Sequence, residues 1–242
     1  MSRSIKDSFR ATVFSVVAFA TALSLATPPA WAQNKSKPDR LTKAAERSEN
    51  AAKVLDLMMA SNQVVIAQYL LDNSQAVAVF PQTTRTTVLL NVIIRGQGVV
   101  SRRTQNGWGA PAFFRFGGAD ISIGVGKESM DVIIFFIKDE AVAWLLKGNT
   151  NFNGKKKAVT SLIGKGDLKA DTNAVVYAVT AEGFVPIEKL EIGIAADNDL
   201  NKVVYALKAR EVLADTQNKI VSYAPEGINK FPQTLARYSK RR

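Results

Sequence analysis

The sequence predicts one α+β domain, built on a mainly antiparallel β-sheet with N-terminal, inserted and C-terminal helices. Apolar residues recur at three- and four-residue intervals from Leu41 to Met59, which is the spacing of an amphipathic helix. Between residues 75 and 195, β-branched and apolar runs alternate with turn-forming glycine and asparagine, as in hairpin-linked strands. Helical patterns return after Asp197.

The N-terminal region predicts two helices that pack on their own domain. The first begins at Leu41 and ends near Ser61, and a shorter one follows from Val65 to Leu70. A helix that lies on a membrane surface usually has a strongly basic polar face, whereas this face carries both signs of charge. We therefore interpret the polar face of the first helix as an ordinary solvated face, formed by Lys43, Glu46, Arg47, Glu49 and Lys53.

The central region predicts a series of short strands. Pro81 is expected to end the first strand, and Asn106-Gly107 and Gly117-Gly118 are expected to form turns. The polar, basic segment 149–170 is expected to be a long functional loop. The predicted strands are 76–80, 88–94 with an extension at 98–101, 108–116, 121–125, 131–137, 174–180 and one or two within 184–195.

Three further helices are predicted beyond the first strands. Carboxylate and amide side chains favour helix N-caps, so acidic residues mark where two of these helices begin. The predicted helices are a short one from Asp139 through Leu145, one from about Asn201 to Leu213 opened by Asp197-Asn198, and a last one after Pro225 and Gly227.

The first 32 residues predict a secretory signal peptide. A basic start precedes an apolar run over residues 11–26, and Ala30-Trp31-Ala32 offers a cleavage site before Gln33. This run is shorter than the ~20 residues that a membrane-spanning helix needs. The chain is therefore expected to be exported, and to be periplasmic or membrane-associated. No cysteine follows the apolar run, so no lipid anchor is expected. The predicted organisation is a signal peptide over 1–32, a polar linker over 33–40, the domain over 41–236 and a basic tail over 237–242.

Composition excludes several kinds of site. The 242 residues include no cysteine and no histidine, which removes thiol nucleophiles, Ser–His pairs and Cys/His zinc sites. The signal peptide takes away three basic groups and one acidic group, so the formal charge falls from +11 to +9. An excess of positive charge favours anionic partners. For an exported chain this indicates anionic phospholipid rather than nucleic acid.

Two segments resemble known binding motifs but do not match the full pattern. Gly148–Lys155 resembles a phosphate loop, but five residues separate its glycines and Lys156 stands where Ser or Thr is needed. Asp197–Asn201 resembles the start of a calcium loop, but it lacks the glycine and the final glutamate, and helix capping explains it better. No paired acid/base spacing favours a hydrolase. The sequence therefore predicts no enzyme, no cofactor and no metal.

The candidate binding residues are cationic. Arg102 and Arg103 stand just before the Asn106-Gly107 turn, and strand alternation puts them on opposite faces, so only one can face a ligand. Mobile, hydrated lysines suit headgroup contacts. The predicted lipid-binding residues are Arg102, Arg103, Lys127, Lys155, Lys156, Lys157, Lys165 and Lys169.

Three sequence blocks resemble the SYLF-domain family: Ala76–Pro81, Gly96–Arg103 and Gly107–Phe114. The resemblance covers roughly residues 41–215, and it departs from the family at Ala206, where glycine is common. Eukaryotic members bind phosphoinositide membranes and, in fungi, actin filaments, whereas secreted bacterial members are described as lipid-binding envelope proteins. The resemblance implies lipid association, with Arg102 and Arg103 the best-suited motif positions, and no actin binding.

The sequence thus leads to two functional hypotheses. The first is a non-enzymatic, lipid-binding protein of the cell envelope that associates with anionic phospholipid headgroups through a cationic loop surface. The alternative is an envelope module for protein–protein interaction or structural support, with a sheet edge as its binding surface.

Overall fold

The fold is centred on an antiparallel sheet whose strand order differs from the order along the chain. The structure is a computed structural model, and it describes residues 37–88, 91–119, 129–147, 149–152, 172–180, 183–186 and 192–239. Its strands are β1 (Ala76–Val88), β2 (Asn91–Thr104), β3 (Gly107–Trp108), β4 (Ala112–Ala119), β5 (Ser129–Phe136), β6 (Asn149–Phe152), β7 (Ala174–Thr180), β8 (Gly183–Pro186) and β9 (Ile192–Ala196).

Within the described residues, the strands follow the order β6-β9-β4-β2-β1-β5-β7-β8, and the short β3 pairs with β2. Each of these neighbouring pairs is antiparallel. The accompanying helices are α1 (Lys37–Met59), α2 (Val64–Asn73), α3 (Asp139–Leu146), α4 (Asn198–Tyr205), α5 (Ala209–Ala214) and α6 (Lys230–Tyr238). The predicted single α+β domain with N-terminal, inserted and C-terminal helices is therefore confirmed.

The middle of the sheet is buried on both of its faces. Consecutive residues of β1, from Ala76 to Phe80, and of β5, from Val132 to Phe136, have no exposed surface. Successive side chains of a strand point to opposite faces, so an unbroken buried run means that both faces are covered. This is why these strands are continuously apolar rather than alternating.

Helix α1 connects the two ends of the described chain by packing on β1, β2 and α6. Its buried Ser48 hydroxyl donates to the carbonyl oxygen of Ile228 at 2.5 Å and accepts from the Phe231 N–H at 3.1 Å. The start of α6 is thereby fixed to α1. Helix α1 begins at Lys37, so residues 37–40, predicted as linker, are helical. Pro38 is tolerated there because the first turn of a helix leaves its N–H groups unpaired.

The prediction that Pro81 ends the first strand is wrong, because β1 continues to Val88 through a β-bulge. The register with β2 shifts between Val79 and Thr84, so Pro81 needs no ladder hydrogen bond. Gln82 takes the left-handed conformation with φ 51°, and its N–H donates to Asp131 Oδ1 at 2.7 Å. A carboxylate on β5 thus compensates for the broken ladder.

The prediction of a turn at Gly117-Gly118 is also wrong. Gly117-Gly118 does not form a turn but lies inside β4, hydrogen-bonded between β2 and β9. The hairpin predicted at Asn106-Gly107 is present but its turn is shifted by one residue: Thr104 pairs with Gly107, so the turn residues are Gln105 and Asn106. Gly107 begins β3 with a φ of 105°, which suits glycine.

Several boundaries differ from the sequence prediction. The predicted strand 88–94 is divided, since β1 ends at Val88 and β2 begins at Asn91. The predicted strand 108–116 is interrupted between β3 and β4, residues 149–152 form β6 instead of loop, and the predicted helix 201–213 is two helices. Helix α6 extends to Tyr238 and so includes two residues of the predicted tail. The predicted strand 121–125 lies outside the described residues.

Helix α4 is fixed to β4 by a buried asparagine. The Asn201 side chain accepts from the Phe113 N–H at 2.9 Å and donates to the Phe113 carbonyl oxygen at 2.8 Å and to the Asp197 carbonyl oxygen at 2.8 Å. One turn later, Tyr205 stacks on Phe113 and donates to the Pro111 carbonyl oxygen at 2.9 Å. Burial raises the pKa of the Tyr205 phenol far above its usual range, so it remains a donor.

Replacing Asn201 by alanine is expected to lower the free energy of unfolding by about 3 kcal/mol, because Phe113 would keep a buried N–H without a partner. Urea denaturation measures the loss. Asn62→Ala, at an exposed position between α1 and α2, is the control and should change stability little. A loss below about 1 kcal/mol for Asn201→Ala would show that water or main-chain shifts satisfy Phe113.

Ala206→Gly is expected to stabilise the fold by about 0.5–1 kcal/mol, because Ala206 ends α4 with φ 58° and a Cβ is strained there. Thermal and urea denaturation should both show the gain. Ala214→Gly, at the exposed last residue of α5, is the matched control and should not stabilise. Equal effects of the two substitutions would contradict the strain at Ala206.

Candidate functional site

A groove with a volume of about 770 Å³ lies between α1 and the sheet. We call it the cationic groove, because Lys43 and Arg47 of α1, Arg95 of β2 and Arg115 of β4 line it. Glu46 is the one acidic residue among the described lining residues. The uncharged lining residues include Asn50, Pro81, Gln82, Thr84, Gln97, Phe116, Gly117 and Gly193.

Helix α1 contributes one stripe of side chains to the groove. Lys43, Glu46, Arg47 and Asn50 stand at positions i, i+3, i+4 and i+7, which lie on the same side of a helix. The neighbouring stripe, with Ala44 and Ser48, is buried in the core. The mixed charged face that the sequence assigned to solvent is therefore partly a wall of the groove, and the prediction that α1 packs on its own domain is confirmed.

The opposite wall is the sheet, and strand register brings its residues together. Arg95 is paired with Thr84 on one side and with Gly117 on the other, and Gly117 in turn is paired with Gly193. In the adjacent row, Gln97 pairs with Arg115. Cross-strand partners project from the same face of a sheet, so Arg95 and Arg115 face α1 together.

Asp197 joins three elements at one end of the groove. Its Oδ2 accepts from an Arg47 guanidinium nitrogen at 3.1 Å, and its Oδ1 lies 3.6 Å from an Arg115 guanidinium nitrogen. Arg47 also donates to the Gln97 side chain. The Asp197 side chain is 12% exposed, and the Asn201 contacts fix its backbone. The ion pairs therefore hold Arg47 in place on a rigid support.

Asp197 corrects the capping interpretation. It occupies the N-cap position of α4, but its side chain makes no capping hydrogen bond. A carboxylate at this position normally accepts from the first N–H groups of the helix. Here it serves the two arginines instead, because they offer charged donors.

The groove retains positive charge after these pairings. Arg115 is 54% exposed and sits 3.6 Å from Asp197, longer than an ordinary charged hydrogen bond. Arg95 is exposed, and no hydrogen bond or ion pair of its side chain is found within the described part of the chain. Two guanidinium groups on neighbouring strands are thus available to an anion that enters the groove.

The predicted arginines lie elsewhere, and both contact protein carbonyls. Arg103 donates to the Leu71 and Ser74 carbonyl oxygens at 2.7 and 2.8 Å, at the C-terminal end of α2. Its guanidinium also stacks 4.4 Å from the Trp108 ring centre. Arg102 donates to the Leu213 carbonyl oxygen at 3.3 Å. Both side chains are half-buried, and neither lines the groove.

The other predicted site residues, Lys127, Lys155, Lys156, Lys157, Lys165 and Lys169, lie outside the described residues. Sequence reasoning missed Arg95, Arg115 and Asp197. The first two carry a usable signal, since each alternates with a glycine or apolar residue along its strand and so marks an open face. Their convergence depends on register across three strands, which single-strand patterns do not contain.

Among the described residues, no group of three or more acidic side chains could hold a metal ion. None of the described helices is both long enough and apolar enough to cross a membrane.

Arg103→Ala is expected to lower the free energy of unfolding by about 2–3 kcal/mol, because two charged hydrogen bonds and a cation–π contact are lost. Arg102→Ala should cost about 1 kcal/mol or less, since it removes one long hydrogen bond. Urea denaturation of both variants, with Arg103→Lys as a partial rescue, measures the difference. Equal losses at the two positions would contradict the structural role of Arg103.

The geometry of the groove is the basis for assigning a function to this chain. The residues that form this geometry are the four cations of the groove and the Asp197 carboxylate, which orients two of them. The resemblance to the SYLF family rests on the sequence blocks alone. No protein-family model matches this chain, and no curated protein matches it either.

Proposed function

We propose that this chain is an exported, non-enzymatic protein of the cell envelope that binds anionic phospholipid headgroups in the cationic groove. The observation that carries the proposal is the convergence of Lys43, Arg47, Arg95 and Arg115 from three elements on one open groove. Among the described lining residues a single carboxylate, Glu46, opposes them. An open, cationic concavity matches an anionic headgroup in sign and allows entry from a membrane surface.

The chemistry of the lining supports a phosphate-bearing ligand. Arginine presents a planar set of donors that matches the oxygens of phosphate, and the groove offers such donors from two sides. The neutral polar groups beside them, Gln82, Thr84 and Gln97, can donate to or accept from the hydroxyls of a headgroup. The net charge of +9 expected after signal peptide removal would draw the chain toward an anionic surface.

The proposal moves the headgroup contact away from Arg102 and Arg103. Their guanidinium groups bind carbonyl oxygens of α2 and α5, so most of their hydrogen-bonding capacity is directed at the protein. The proposal does not depend on the predicted loop lysines, which lie outside the described residues.

Wild-type protein, purified after export and cleaved before Gln33, is expected to float with vesicles that contain phosphatidylglycerol and not with phosphatidylcholine vesicles. Replacing Arg95 and Arg115 by glutamine should weaken this partition at low salt by about 2 kcal/mol, roughly 30-fold, because each cation near an anionic surface contributes ~1 kcal/mol. The difference should shrink at physiological salt, where charges are screened beyond about 8 Å.

The control removes the same charge elsewhere. Arg210→Gln with Lys219→Gln changes two exposed cations outside the groove, and it should reduce binding by a much smaller factor. Equal losses for the two double variants would show that net charge, and not the groove, binds the vesicles. Failure of the wild type to bind either kind of vesicle at low salt would exclude the lipid proposal in favour of a protein partner in the envelope.

A further inference from the structure

Gly117 lies on the sheet wall of the cationic groove, and neither packing nor backbone conformation explains why it is glycine. A Cβ placed on Gly117 comes within 4 Å of one atom among the described residues, the Ile94 carbonyl oxygen at 3.5 Å. That is an ordinary van der Waals distance. Gly117 is also not among the glycines with positive φ. A Cβ at this position would therefore fit the fold.

Gly98 shows what a structural glycine looks like in the same sheet. A Cβ there would stand 2.0 Å from the Val79 carbonyl oxygen and 2.8 Å from Phe80 Cα, so the neighbouring backbone forbids any side chain. Inside a strand, glycine is less favourable than alanine because it loses more conformational freedom on folding. At Gly117 this loss of conformational freedom has no packing reason, because no close contact requires glycine there.

The missing side chain leaves a gap between two arginines. Arg95 is the cross-strand partner of Gly117, with β-carbon positions about 5 Å apart in such pairs. Arg115 stands two residues before Gly117 on the same face, about 7 Å along the strand. A group placed over Gly117 is within reach of both guanidinium groups, and a side chain at position 117 would occupy the same space.

The two arginines that touch Asp197 differ in how firmly they are held. Arg47 lies 3.1 Å from the carboxylate, is 19% exposed and also donates to Gln97. Arg115 lies 3.6 Å away and is 54% exposed. Arg47 is therefore fixed as part of the wall, whereas Arg115 can turn donors toward a ligand while Asp197 limits how far it swings.

We propose that Gly117 is the floor of an anion seat, in which one phosphate group lies over the Gly117 backbone between the guanidinium groups of Arg95 and Arg115. This inference rests on the proposed function and places the phosphate within the groove. The tetrahedral phosphate presents oxygens to both sides, so each arginine can donate to a different edge of it. The same chemistry would accept the phosphodiester of a lipid or a free phosphate.

The test fills the seat without removing charge. Gly117→Val adds a β-branched side chain that suits a strand, so the urea midpoint should stay the same or rise. Flotation with phosphatidylglycerol vesicles should fall about tenfold or more, the equivalent of one or two lost arginine–phosphate contacts. Gly117→Ala should give a smaller loss. Thr86→Val, which introduces the same valine side chain at an exposed position of β1 outside the groove lining, should bind as the wild type does.

The outcomes separate this inference from the proposed function. If the wild type binds vesicles and Gly117→Val binds equally well, the seat is wrong and groove binding stands. If the wild type does not bind vesicles, the lipid proposal fails, and a second measurement decides the seat: side-chain NMR signals of Arg95 and Arg115 during titration with inorganic phosphate. Shifts at both that are abolished in Gly117→Val support a seat for free phosphate. No shift with either vesicles or phosphate overturns it.

Discussion

The hydrogen bonds between Asn201 and both backbone groups of Phe113 fix the geometry on which the groove depends. They fasten α4 to β4. The Phe113 carbonyl oxygen also accepts from the Asp197 N–H, so the residue that enters α4 is held to the same point. Buried polar groups must be paired, and this requirement sets the position of the helix.

The fixed position of Asp197 in turn determines where the charged groups of the groove lie. Once Asp197 is fixed, its carboxylate sets where Arg47 of α1 and Arg115 of β4 can lie. A partly buried carboxylate needs opposite charge near it, and the arginines supply more positive charge than it neutralises. The core and the groove are thus linked through one short segment. The groove keeps an excess of positive charge because two carboxylates, those of Glu46 and Asp197, stand against four cations from three elements.

The sequence contains the strands, the helices and their order, because each depends on a local pattern such as the apolar run of β5. It is a poor guide where one residue type can have either of two structural roles. Pro81 looks like the end of a strand, yet a bulge makes its missing N–H harmless. Gly117 looks like a turn, yet it lies mid-strand between two partners. Asp197 looks like a helix cap, yet two guanidinium groups outcompete the helix N–H groups. Arg95 and Arg115 meet through a register that no local pattern encodes.

The packing of α1 on α6 has a consequence for how the chain acquires its structure. The Ser48 hydroxyl finds its partners in Ile228 and Phe231, some 180 residues later in the chain. Contacts of such wide separation form late, because a long loop must close before they stabilise anything. Until synthesis reaches α6, the part of α1 that packs against α6 has no cover, and the nascent chain is more open than the finished domain. For the exported protein proposed here, that delay would favour passage through a translocation channel, which admits extended chain, with folding completed on the far side of the membrane.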